Sequence, residues 1–188
     1  MLSNRQRLIV KTAVSTLFAA GVVAGAAGLA VLYGGWYNIG ATSQHFTYVY
    51  RVLEEGMANS VSYHARDVQV PRLGGERQLR LGAAVYRDKC LQCHGGPGVA
   101  QSTIGMSMQP IPGPLVDATR HWEARELYWI TKNGIKMSGM PAWEYHLGED
   151  ELWAVVAFVT AMPAMSSQDF RARIAPDAAP DAAQEAAR

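Results

Sequence analysis

The pentapeptide Cys90-Leu91-Gln92-Cys93-His94 holds the only two cysteines of the chain, three positions apart, with a histidine directly behind the second. Cysteines this close cannot close the long loops of a disulfide framework. A structural zinc site needs four Cys or His ligands, commonly as two pairs, and no second cysteine pair exists. A thioredoxin-like redox pair needs a βαβ context, and no alternating strand pattern of useful length occurs. Covalent attachment of one haem accounts for the motif. On a short helical turn, cysteines at i and i+3 reach both vinyl groups of one porphyrin, and His94 projects onto the iron as the proximal nitrogen ligand.

The flanking sequence predicts an all-α domain. Apolar spacing marks helices over residues 77–90, 122–134 and 149–162, the last opened by Glu149 or Asp150 after Gly148, where acidic side chains are favourable. Turn-rich loops at 95–115 and 139–148 connect them. Such a domain has too little core to hold long loops by itself, and a buried flat cofactor supplies the missing apolar surface. A thioether on the opposite face would complete six-coordinate iron. Met140 stands between Gly139 and Pro141, which favours extended backbone at the methionine. Met137 lies three residues earlier and is less constrained. His45, His64, His121 and His146 are the histidine alternatives, each better read as a surface or packing residue. Met106 and Met108 suggest Cu(I) only weakly and read as contacts beside the haem.

The amino terminus places this domain outside a membrane. Arg5, Arg7 and Lys11 come first, and no charged residue follows from Thr12 until Arg51. The apolar part, residues 12–33, would span about 33 Å as a helix, enough to cross a hydrocarbon core. Tyr33, Trp36 and Tyr37 follow at the position of an interfacial aromatic belt, and the basic flank stays cytoplasmic. A cleaved signal peptide is the rival reading, with Ala24-Gly25-Ala26 as the cleavage site, but the apolar run continues through Leu29, Val31 and Leu32. Four regions are expected: a transmembrane anchor at 1–37, a juxtamembrane helical segment at 38–76, the compact domain at 77–165 and a disordered tail at 166–188 rich in Ala, Pro and Asp. Pro71 and Gly74-Gly75 mark the second boundary.

Gly82, Tyr86 and Cys90, spaced by four, together with Phe158 on the last helix and the Met140-Pro141 pair, resemble class I c-type cytochromes. The stretch from Gly134 to Trp143 also resembles a subgroup of bacterial membrane-anchored monohaem cytochromes c. The resemblance covers residues 77–165 well and 12–76 loosely. It implies a cytochrome c-like domain of short helices and long loops around one covalent haem c, with Gly82 crossing close to Phe158. It also implies that a proline carbonyl accepts a hydrogen bond from the second ring nitrogen of His94. Pro110, Pro112 and Pro114 all lie near the required place, and Pro112 is the choice.

Trp129 and Trp143 either pack on the ring or donate an indole N–H to a haem propionate, with packing the simpler role. Arg125, Lys132 and Lys136 pair with propionates or face a partner. Between Arg77 and Asp169, eight Lys/Arg face nine Asp/Glu, so no strong electrostatic steering is expected. The expected function is single-electron transfer, not catalysis, by a single-pass protein of the bacterial inner membrane with its haem domain in the periplasm. The partners would be a quinol-oxidising complex or dehydrogenase upstream and a terminal oxidase or reductase downstream. The alternatives are a dedicated haem subunit of one such membrane complex and, last, a haem enzyme or gas sensor with an open iron position.

Overall fold

A computed structural model describes residues 3–176. These are helical throughout apart from turns, loops and one isolated bridge between Gly96 and Val99. The chain divides after Ser43 into two units. The first holds helix α1, Asn4–Gly34, opened by a reciprocal cap between Ser3 and Gln6 and closed by Gly35 in the left-handed conformation. This helix is long and apolar enough to cross a membrane, and none of its residues is buried within the structure.

The second unit is organised by two helices that cross at a glycine. Helix α3, Glu76–Val85, lies against α7, Glu149–Ala161. A Cβ at Gly82 would collide with the carbonyl oxygen of Ala154 and come within 2.9 Å of Phe158 Cβ, so any side chain there would force the helices apart. Leu152 to Val159 are all buried: α7 is surrounded, consistent with its continuous apolar run. Acidic Glu149, Asp150 and Glu151 occupy its first turn, where the helix dipole favours negative charge. Helix α6, Ala124–Asn133, packs on α7 through stacked Tyr128 and Trp153 rings 4.1 Å apart.

At two of the expected boundaries the packing continues across the division. Helix α2, Thr47–Ala65, lies in the segment expected to be juxtamembrane, yet it packs on α6 as part of the same unit. Val61 and Ala65 are buried, His64 stacks on Trp129, and Ser62 Oγ donates to the buried Glu126 carboxylate at 2.6 Å. The other Glu126 oxygen accepts from the Glu123 amide at 2.8 Å, so this carboxylate is buried with both oxygens bonded.

The domain also runs past residue 165. Ser166 and Asp169 form a reciprocal cap that opens α8, Ser167–Arg173. Its Phe170 is fully buried against Tyr86 and Phe158. Arg173 reaches Glu76 at 3.3 Å and Arg171 reaches the Gly98 carbonyl at 3.2 Å. The composition is tail-like only beyond this helix; the remainder of the expected disordered tail, 177–188, lies outside the described residues.

Gly82→Ala should therefore destabilise the domain by about 1–3 kcal/mol through overpacking. Phe170→Ala should cost about 3–5 kcal/mol as a buried ring is lost, where a disordered tail would cost nothing. Denaturant unfolding followed by circular dichroism measures both.

Candidate functional site

Helix α3 does not continue regularly into the cysteine motif. Residues Tyr86–Cys90 form a π-turn, after which Leu91–His94 resume as α4, and Thr103–Met106 follow as the short α5. Such turns insert an extra residue per winding and recur at functional sites. Here the turn sets Cys90 and Cys93 on the wall of a cavity of about 700 Å³, with His94 beside them. Gly95 closes α4 with φ +62, and its carbonyl accepts the buried Tyr86 hydroxyl at 2.7 Å. Burial raises the Tyr86 phenol well above its ordinary range, so it acts as a neutral donor that ties the π-turn to the end of the motif.

His94 Nδ1 lies 2.8 Å from the carbonyl oxygen of Gly113. With the proton on Nδ1, Nε2 keeps its lone pair for a metal. Burial lowers the pKa of His94 below the ordinary histidine value, against a smaller opposing effect of the Gly113 hydrogen bond, which keeps the ring neutral. The accepting carbonyl corrects the expectation of Pro112. The Pro112 carbonyl is instead engaged by Gln101 Nε2. In the Pro-Ile-Pro-Gly-Pro run, Gly113 presents the peptide that meets the imidazole. The run is stiff, and sequence spacing alone does not say which of its carbonyls faces inward.

Burial, with a smaller contribution from Cys93, pushes the Cys90 thiol up to about 12, so it is a neutral thiol inside an apolar wall. The methionines separate clearly. Met140 lines the cavity, whereas Met137 is 82 % exposed, on a positive-φ turn. The Met140 backbone is held on three sides. Its amide donates to Ser138 Oγ at 3.1 Å, its carbonyl accepts from the Ile135 amide at 3.2 Å, and Gly134 packs against that carbonyl with no room for a Cβ.

Met108 and Met57 also line the cavity. The Met108 sulfur packs directly on Gly139, beside Met140, while Met106 points outward at 55 % exposed. Met57 comes from α2 and was not anticipated as a wall residue. It precedes Val61 and Ala65 at four-residue steps, which is the signal for a shared helix face.

Of the four histidines weighed as alternatives, His121 reaches the cavity wall, from an exposed position. His64 stacks on Trp129, away from the cavity, and His146 meets the edge of Trp143. Arg125 pairs with Glu123 at 2.8 Å and Lys132 lies over the Tyr128 ring. Neither they nor Lys136 line the cavity; Lys89 does. Among the described residues no cluster of three or more His, Cys, Asp or Glu could hold a separate metal ion.

A covalently held haem fits this site. The wall is predominantly apolar, the two thiols and one imidazole share it, and a thioether comes from a separate, well-anchored loop. The indole Nε1 of Trp143, in the same wall, is buried without a hydrogen-bond partner from the protein. A family model described as cytochrome C oxidase, cbb3-type, subunit III matches residues 77–159. No curated protein and no solved structure matches the chain.

Replacing Met140 by Ala should abolish the weak red absorption band of methionine-ligated ferric haem and lower the reduction potential. Met137→Leu and Met108→Leu should both keep the band. Loss of the band in Met108→Leu alone would reassign the thioether to Met108.

Proposed function

Because residues 77–159 form a c-type cytochrome domain, we propose that this chain is a membrane-anchored periplasmic carrier of single electrons between respiratory partners, using one His/Met-ligated haem c. The observation that carries this reading is the pairing, in one apolar cavity, of a neutral imidazole fixed by Gly113 and a thioether on a loop pinned at Gly134. When bound, the haem supplies reversible one-electron chemistry at its iron.

The protein residues do the rest. Cys90 and Cys93 would hold the group covalently, so that it is retained through many turnovers. His94 and Met140 would hold its iron from the two sides of the cavity, leaving no open position for a substrate. Leu127, Ile130, Val155 and Val156 line the cavity with hydrocarbon, which excludes water and limits rearrangement when the charge changes. In this reading α1 is an uncleaved span with Arg5, Arg7 and Lys11 in the cytoplasm. The tether raises the local concentration of the domain at its partners, a quinol-oxidising complex or dehydrogenase on one side and a terminal oxidase or reductase on the other.

A second reading, a dedicated haem subunit of one membrane oxidoreductase complex, is favoured by a specific feature. Val49, Val52 and Leu53 on the first half of α2 are 38 %, 71 % and 45 % exposed, an apolar stripe of the kind that marks interaction surfaces.

Purification from membranes in mild detergent decides between the two. A carrier should emerge alone, with one covalent haem per chain, and its ferrous form should resist carbon monoxide. A stoichiometric catalytic subunit travelling with it would establish the second reading. Ready carbon monoxide binding by the wild type would overturn Met140 ligation and with it the carrier mechanism.

A further inference from the structure

Directly behind His94 come Gly95, Gly96, Pro97 and Gly98. The three glycines bring no side chain to anchor this turn, and Gly95 and Gly98 stand at φ +62 and +70. Two backbone hydrogen bonds of 2.9 Å between Gly96 and Val99 close the turn on itself. Helix α8 covers it from outside. A Cβ at Gly96 would collide with Cζ of Phe170, and its three nearest neighbours would all be carbons of that ring. A Cβ at Gly98 would come within 2.6 Å of Ser167 Oγ, and Arg171 Nη1 donates to the Gly98 carbonyl at 3.2 Å. The far end of α8 is tied down in turn: Arg173 pairs with Glu76, and Arg87 Nη1 donates to the Ala175 carbonyl at 3.4 Å. Phe170 reaches the turn by a second route. Its ring meets the Tyr86 ring edge-on, with centroids 6.0 Å apart, and the Tyr86 hydroxyl is bonded to the Gly95 carbonyl. The residues matched by the family model end at 159, and α8 lies beyond them.

We propose that Phe170 is a positioning residue for His94: through it, α8 presses the Gly95–Gly98 turn into place and sets the angle at which the imidazole faces the iron. This rests on the haem reading above. The orientation of a metal-bound imidazole follows from what holds it on the side away from the metal. Here there are two such supports. The Gly113 carbonyl holds Nδ1, and the backbone at Gly95 holds the Cα end of the residue. That backbone runs into glycines, which have wide conformational freedom unless something packs on them. Phe170, fully buried, is what packs on Gly96. Close-packed interiors transmit a displacement rather than absorb it, so a gap opened over Gly96 lets the turn relax and carries His94 with it.

The test uses full-length holoprotein. Phe170→Leu keeps an apolar side chain in the core but stops short of Gly96. Gly96→Ala adds the methyl for which Phe170 leaves no room; Gly96 is not one of the left-handed glycines, so the ring alone opposes it. In the double variant that methyl fills the space the shorter side chain vacates. Proton NMR of the ferric form reads the haem-methyl resonances, whose spread follows the orientation of the axial ligands over the porphyrin. The Met140 methyl in the ferrous form reads the opposite side separately. Each single variant should shift the haem-methyl resonances and leave the Met140 methyl in place, and the double variant should return them toward the wild-type positions. A lower melting temperature with unmoved haem-methyl resonances would overturn the proposal, because that is the mark of a purely structural role. A double variant that restores nothing, or a Met140 methyl that moves as well, would overturn it too. Should Phe170→Leu fail to retain haem, Arg171→Ala decides, since it removes one clamp on Gly98 from an exposed position and leaves the core intact. It should shift the same resonances, and an unmoved set would overturn the assignment. Absence of covalent haem in the wild type, read separately from its mass, would remove the functional reading itself.

Discussion

The contact between Gly82 and the backbone of Ala154 governs the geometry of everything downstream of it. With no Cβ between them, α3 and α7 approach until Phe158 lies on α3. That closeness buries Tyr86, and buried Tyr86 must find an acceptor for its hydroxyl. The acceptor is Gly95, immediately behind His94. The depth of the helix crossing thus reaches the metal-binding end of the motif through one hydrogen bond and one π-turn. A glycine more than ten positions from His94 in this way sets where the imidazole stands.

Much of this was legible in the sequence. The three domain helices lie close to the expected ranges because their apolar periodicity was strong: α6 and α7 begin within two residues of the expected starts and end one residue early. The Gly82, Tyr86 and Phe158 frame is legible through the resemblance to class I c-type cytochromes. The π-turn is not, since a single extra residue in a helical winding leaves the composition of residues 77–90 unchanged. The accepting carbonyl was misread for a related reason. Pro112 and Gly113 are adjacent, and backbone orientation within a proline-rich run is a three-dimensional property.

The packing across the two expected boundaries has a different origin. Pro71 and Gly74-Gly75 set the helical segment before Glu76 apart from the domain, yet Met57, Val61 and Ala65 already repeat at helical spacing on the face that meets it. At the other end, Ser166 and Asp169 carry a capping signature, overshadowed by the Ala- and Pro-rich composition that follows. In both places a short, correct local signal was outweighed by the character of a longer window. The membrane-spanning capacity of α1, by contrast, depends on length and composition alone and is as clear in the sequence as in the structure.

The seating of α8 also has a kinetic side. The pairing of Arg173 with Glu76 joins residues 97 positions apart, one of the longest loops the domain closes, whereas the Tyr86 to Gly95 bond spans nine. Closing a loop costs entropy that rises with its length, so distant pairings are slow to form and depress the folding rate. The turn that bears Cys90, Cys93 and His94 can therefore organise from neighbouring residues while the two ends of the domain are still apart. In the folded domain the Phe170 ring covers Gly96, and the last helix so closes the enclosure behind the histidine.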